Sequence, residues 1–144
     1  EIIDLMVVNS ETLQDNPALG KALTGAWYEI MATMSATTPA GIAAREHMAK
    51  ASGTDLAGYE SQLAVTKMFY SAKDAVAFAN SPKLPATMSK VAEFSFSHGL
   101  LGEGAKSSDA IGMSFAKGIT TGDKANLKLR FDPSYMQMAA DGAL

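Results

Sequence analysis

Chemistry at a protein site needs titratable or nucleophilic groups held at workable spacings, and this sequence offers few. Its two histidines, His47 and His98, stand apart, each on an expected helix. Glu46 adjoins His47, but consecutive helical side chains diverge by about 100° and do not face each other. Neither histidine belongs to an HExxH pattern, and zero cysteines remove thiolate zinc, iron–sulfur ligation, disulfides and thiol nucleophiles. Both histidines read as solvated or capping residues, with no metal and no cofactor implied. The stretch GLLGEGAKSS, residues 99–108, imitates a phosphate-binding loop because glycines precede Lys106 and Ser107. The imitation fails twice: Ala105 separates the last glycine from the lysine, and a helix rather than a strand leads into the loop. Charged residues are otherwise scattered singly, as on solvated helix faces. Trp27, Tyr28 and Glu29 combine flat apolar surface, a hydroxyl and a charge. Trp27 falls on its helix's apolar stripe, which favours core packing over ligand contact, whereas Tyr28 and Glu29 project elsewhere, toward solvent.

The elements that must position these groups are bounded by composition. The 144 residues are one domain's worth of chain, 47% hydrophobic and 19% charged, with 12 basic against 15 acidic residues. That apolar fraction and a net charge of −3 are incompatible with intrinsic disorder. No run approaches the roughly 20 apolar residues needed to cross a bilayer. Nucleic acid is not an expected partner, because phosphate neutralisation needs a basic face, and the local excess at Lys117, Lys124, Lys128 and Arg130 is diluted by Asp123 and Asp132.

Residues Ile2, Ile3, Leu5, Met6, Val7 and Val8 form an apolar run broken only by Asp4, the pattern of a strand buried on both faces. The run opens the sequence abruptly, and the expectation is that its pairing strands lie upstream in a longer polypeptide. An exposed strand of this kind is an aggregation hazard, so it should pair with other polypeptide or swap between copies. A turn over residues 10–16 follows. Asn16-Pro17 then starts a helix with Leu19, Leu23, Trp27, Ile30 and Met34 as its stripe. Thr38-Pro39 starts a second helix, through Ile42 and Met48, ending at Gly53. Thr54 or Asp55 caps a third, carrying Leu56, Tyr59 and Leu63. Residues 65–70 are extended or a bent connection. Ser71 caps a short helix through Phe78, and a longer one follows Ser81-Pro82 with Leu84, Met88, Val91, Phe94 and Leu101. Beyond the glycine-rich loop, Ile111, Met113 and Phe115 fall in a brief turn or helix. Leu127, Leu129 and Phe131 alternate with Lys128 and Arg130 as in a half-exposed strand, and Asp132-Pro133 starts a last helix ending near Gly142. The nine methionines read as core filler on these stripes.

The order of features resembles type II periplasmic solute-binding proteins of ATP-driven (ABC) importers. IIDLMVVNSETLQDNPALGKALTGAWYEI, residues 2–30, resembles the segment in which such chains leave the second lobe, cross the hinge and enter a helix. FYSAKDAVAFANSPKLPATMSKVAEFSFSHGLLG, residues 69–102, and GDKANLKLRFDPSYMQMAADGAL, residues 122–144, resemble the nitrate, sulfonate and taurine branch. The similarity is greatest to a subgroup of urea-transport components and spans nearly the whole chain, with LKLRFDPSYMQMAADG as its most specific part. Family members are considerably longer.

The resemblance implies an α/β fold, of which this chain is the helix-dominated C-terminal part. Residues 1–10 would be a hinge-crossing strand, residues 16–116 a helical segment, and residues 117–144 a strand with a terminal helix. It implies binding of a small polar solute, urea or a related compound, and delivery to ABC permease subunits at the periplasmic or extracellular face of a bacterial membrane. Binding and transport rather than catalysis are what it implies, so the protein is not expected to be an enzyme. Membrane association would come only through the permease or an anchor outside the chain, as in a lipoprotein. Polar groups at the hinge exit and a nearby aromatic would supply oriented hydrogen bonds and one apolar wall, making Asn9, Ser10, Trp27 and Tyr28 the candidate ligand-binding residues. Asn9 and Ser10 read equally as turn or capping residues. Two competing readings are a stand-alone helical interaction module and a thiamine-precursor synthase-like enzyme on the same scaffold.

Overall fold

A computed structural model describes residues 3–144. The chain is mixed α/β: among the described residues, seven α-helices accompany a three-stranded sheet. In order these are α1 (Ser10–Asp15), α2 (Pro17–Ser35), α3 (Pro39–Ala51), α4 (Leu56–Val65), α5 (Ala72–Ala79), α6 (Lys83–Ser97), β1 (Gly112–Ser114), β2 (Thr120–Thr121), β3 (Leu127–Arg130) and α7 (Ser134–Ala140). They divide into two compact units. A helical unit comprises Asn9–Ala75 and Tyr135–Leu144, and a sheet unit comprises Val76–Ser134 with the residues up to Val8.

Short polar side chains cap α3 and α4 where the sequence places them, whereas Asn16, the expected cap of α2, makes no side-chain capping bond. The Thr38 hydroxyl accepts the Gly41 N–H at 3.3 Å, and the Asp55 carboxylate accepts the Gly58 N–H at 2.8 Å, each relieving one unbonded first-turn amide. Pro17 and Pro39 occupy first-turn positions, where the missing N–H costs nothing. Gly53, in the left-handed region at φ 75°, follows the end of α3. The face that α2 buries is Gly20, Thr24, Met31 and Met34. Leu23, Trp27 and Ile30 of the expected stripe are exposed, Trp27 to 45%. The helix is thus rotated from its apolar reading, and the reason is size. A Cβ on Gly20 would overlap the Tyr135 ring, so the small residues mark where neighbours approach closely.

The sheet unit has strand order β2-β1-β3. β1 pairs antiparallel with β2, setting Met113 against Thr121, and parallel with β3, setting Met113 against Leu129. Its core gathers Leu84 of α6 with Met113 and Phe115, flanked by Ile3, Phe78, Met88, Ala92, Leu129 and Phe131. The Phe115 and Phe131 rings stack with centroids 5.0 Å apart. β1 and β2 correct the expectation of a brief turn or helix near residue 113 and of a helical segment running to residue 116. GMS has little intrinsic strand preference, and β1 is extended because it lies between two partners. β3 and α7 form as expected, with Asp132 Oδ1 accepting the Ser134 N–H at 2.9 Å.

The opening run departs from its reading. Ile2 lies outside the described residues; residues 3–9 form no strand, and the backbone of residues 4–8 makes no backbone hydrogen bond among the described residues. Leu5, Met6 and Val7 are exposed to 46%, 52% and 71%. Strand assignment requires a partner ladder, and none of the described strands supplies it. The expected turn over residues 10–16 is instead the short helix α1.

The loop joining β1 to β2 turns at Lys117-Gly118, both in the left-handed region, at φ 60° and 73°. The strand register leaves a three-residue hairpin loop, Ala116–Gly118, closed by the Phe115 N–H donating to Ile119 O at 2.8 Å. Lysine pays for its Cβ in that region, whereas asparagine tolerates it. Lys117→Asn should therefore stabilise the protein by about 1 kcal/mol and raise its melting temperature by about 3 °C, which calorimetry checks.

Candidate functional site

A helix ends with carbonyls that have no partner in the helix, and at the end of α2 one side chain meets that need. Arg45, on α3, donates from Nη1 to Met34 O and to Ala36 O at 2.6 and 2.9 Å. From Nε it donates to Glu60 Oε1, on α4, at 3.0 Å. One guanidinium thereby ties three helices, and its side chain is only 13% exposed, against 46% for Glu60. Around this pair Met34, Ser35, Thr37, Leu63 and Tyr70 complete a depression of about 310 Å³, wholly within the helical unit. The depression is shallow and largely open to solvent. Met34 and Leu63 give its lining an apolar part, and its polar groups include both donors and acceptors.

A second depression of about 280 Å³ lies along α2 and α3, lined by Glu29, Ile30, Thr33, Ala44 and Met48. It holds one charged group and no cation.

Neither depression is lined by any of the four residues nominated from sequence. Asn9 is the N-cap of α1: its Oδ1 accepts the Glu11 and Thr12 N–H groups at 2.8 and 3.1 Å. Ser10 is the first residue of that helix and half-buried. Trp27 and Tyr28 are neighbours on α2 with opposite exposure from that expected. Trp27 faces solvent, while Tyr28 is partly buried, and the lost hydration raises its phenol pKa above the ordinary tyrosine value.

The histidines stand where solvated and capping residues stand. His47 is exposed on α3. His98 is the C-cap of α6, with Nδ1 2.9 Å from Phe94 O and 3.1 Å from Ser97 Oγ and its ring stacked on Phe94 at 3.9 Å. In the glycine-rich loop Lys106 is exposed, and Ser107 Oγ accepts the Asp109 N–H at 3.3 Å, which makes it a turn cap. Among the described residues no three His, Asp or Glu side chains gather as a metal would require, and no helix is long and apolar enough to cross a membrane.

Sequence reasoning missed Arg45, Glu60 and Tyr70. The available signal was Arg45 itself, one of two arginines in the chain, set in the alanine-rich helix GIAAREHMAKA. No protein-family model matches the chain, and comparison with curated proteins and with solved structures finds no match.

Proposed function

We propose that the protein is a solute-binding component of an ATP-driven importer, which holds a small polar solute such as urea or a related compound and passes it unchanged to permease subunits. Its place of work on this reading is the periplasmic or extracellular face of a bacterial membrane. The observation that carries the reading is the resemblance of residues 69–102 and 122–144 to the nitrate, sulfonate and taurine branch of type II solute-binding proteins. The mixed α/β composition is compatible with it.

A ligand that binds only the folded state stabilises it by about 2.7 kcal/mol at a hundredfold excess over Kd. Melting the protein with urea at sub-denaturing concentration, acetamide, nitrate and alkyl sulfonates in turn should give one clear upward shift. A melting temperature unmoved across the panel removes this class of solute. The reading as a helical interaction module draws on Leu23, Trp27 and Ile30, exposed at helical spacing on α2. A flat solute panel, together with concentration-independent sedimentation and stoichiometric capture of a purified protein partner, would favour it.

A further inference from the structure

Arginine and a carboxylate commonly meet through two parallel hydrogen bonds, but Arg45 and Glu60 make one. Nε reaches Oε1, both Nη1 bonds go to the end of α2, and Nη2 has no protein acceptor among the described residues. Glu60 Oε2 likewise receives no protein hydrogen bond among the described residues. Both side chains line the same depression as Tyr70 and Thr37, whose hydroxyls make no hydrogen bond among the described residues. The site thus presents a spare cationic donor and a spare anionic acceptor next to each other, and the pair is neutral as a whole.

We propose that this depression is a binding site for a small zwitterion, an α-amino acid of modest side chain. Its carboxylate accepts from Arg45 Nη2 and from the Tyr70 hydroxyl, and its ammonium donates to Glu60 Oε2. Met34 and Leu63 take the aliphatic part. A simple anion would meet Glu60, and a simple cation would meet Arg45, so each is opposed by one half of the pair. A molecule carrying both charges satisfies both halves. This site does not depend on the importer reading and is separate from Asn9, Ser10, Trp27 and Tyr28.

The experiment titrates the protein with glycine and alanine, then with N-acetylglycine, acetate and methylamine, following backbone amide NMR signals. Glycine and alanine should shift the signals of Ser35, Thr37 and Glu60 saturably, and the analogues carrying one charge should bind at least about tenfold more weakly, since a charged hydrogen bond is lost. Glu60→Gln should keep the folded spectrum and lose the preference for glycine over N-acetylglycine. Tyr70→Phe, a second variant that leaves the ion pair intact, should weaken binding of both. No saturable shift with either amino acid overturns the proposal. Equal response to glycine and N-acetylglycine in the unaltered protein overturns it as well. A response to urea or nitrate alone would leave the importer reading standing and this site refuted.

Discussion

Replacing Gly112 by alanine lowers stability by about 3 kcal/mol and the melting temperature by about 10 °C, the upper range of overpacking effects. Gly112 is the first residue of β1, pressed between its two partners. A Cβ there would overlap Asp123 O and stand 2.9 Å from that carbonyl carbon and 3.2 Å from Leu127 Cα. All of these are backbone atoms, and the segment holding them is fixed. The Asp123 N–H donates to Asp109 O at 2.8 Å, Asp123 O accepts the Asn126 N–H at 3.0 Å, and Asn126 Nδ2 donates to Ala110 O at 2.7 Å. A flexible side chain would swing away, but this backbone moves only by breaking those bonds. Urea unfolding followed by circular dichroism measures the loss. A midpoint unchanged in the variant would mean that the Asp123 turn yields freely.

Arg45→Ala has the second large expected effect, also about 3 kcal/mol. Two carbonyls at the end of α2 lose their donor, each at a cost of roughly 1–2 kcal/mol where water does not replace it, and the alkyl stem is lost with them. The ion pair itself contributes little, because Glu60 is nearly half exposed and a surface pair is worth about 0–1 kcal/mol. Glu60→Gln should accordingly cost under about 0.5 kcal/mol. Arg45→Lys should recover only part of the loss, since one ammonium cannot replace a planar fork that serves two carbonyls and a carboxylate at once. Denaturation midpoints of the three variants separate these contributions. Equal losses in Arg45→Ala and Glu60→Gln would show that the ion pair, and not the carbonyls, holds the helices.

What was legible in the sequence was local. Asn-Pro, Thr-Pro and Asp-Pro starts, the Asp55 cap and the Leu127 alternation all act within a few residues, and α2, α3, α4, β3 and α7 form where they point. What escaped depends on distant neighbours. Gly112-Met113-Ser114 is a strand only because Thr121 and Leu129 flank it, and residues 3–8 lack a ladder partner despite an apolar composition that invites one. Periodicity places Trp27 in the core, yet Gly20 and Thr24 turn the helix so that Tyr28 is the more buried of the two. The Arg45 cluster was hidden for the same reason. Its three partners come from the end of α2 and from α4, and no spacing rule joins Met34, Ala36 and Glu60 to one guanidinium.

The helical unit is drawn from two stretches of chain with residues 76–134 between them. Closing a loop of that length costs roughly 3–4 kcal/mol in chain entropy, while the contacts joining α2, α3 and α4 are nearly all between sequence neighbours. During synthesis on a ribosome, the early helices therefore emerge and pair without their final cover. Gly20 receives the Tyr135 ring only after the intervening polypeptide has left the exit tunnel, so this unit matures after translation has passed its last segment rather than as its first helices appear.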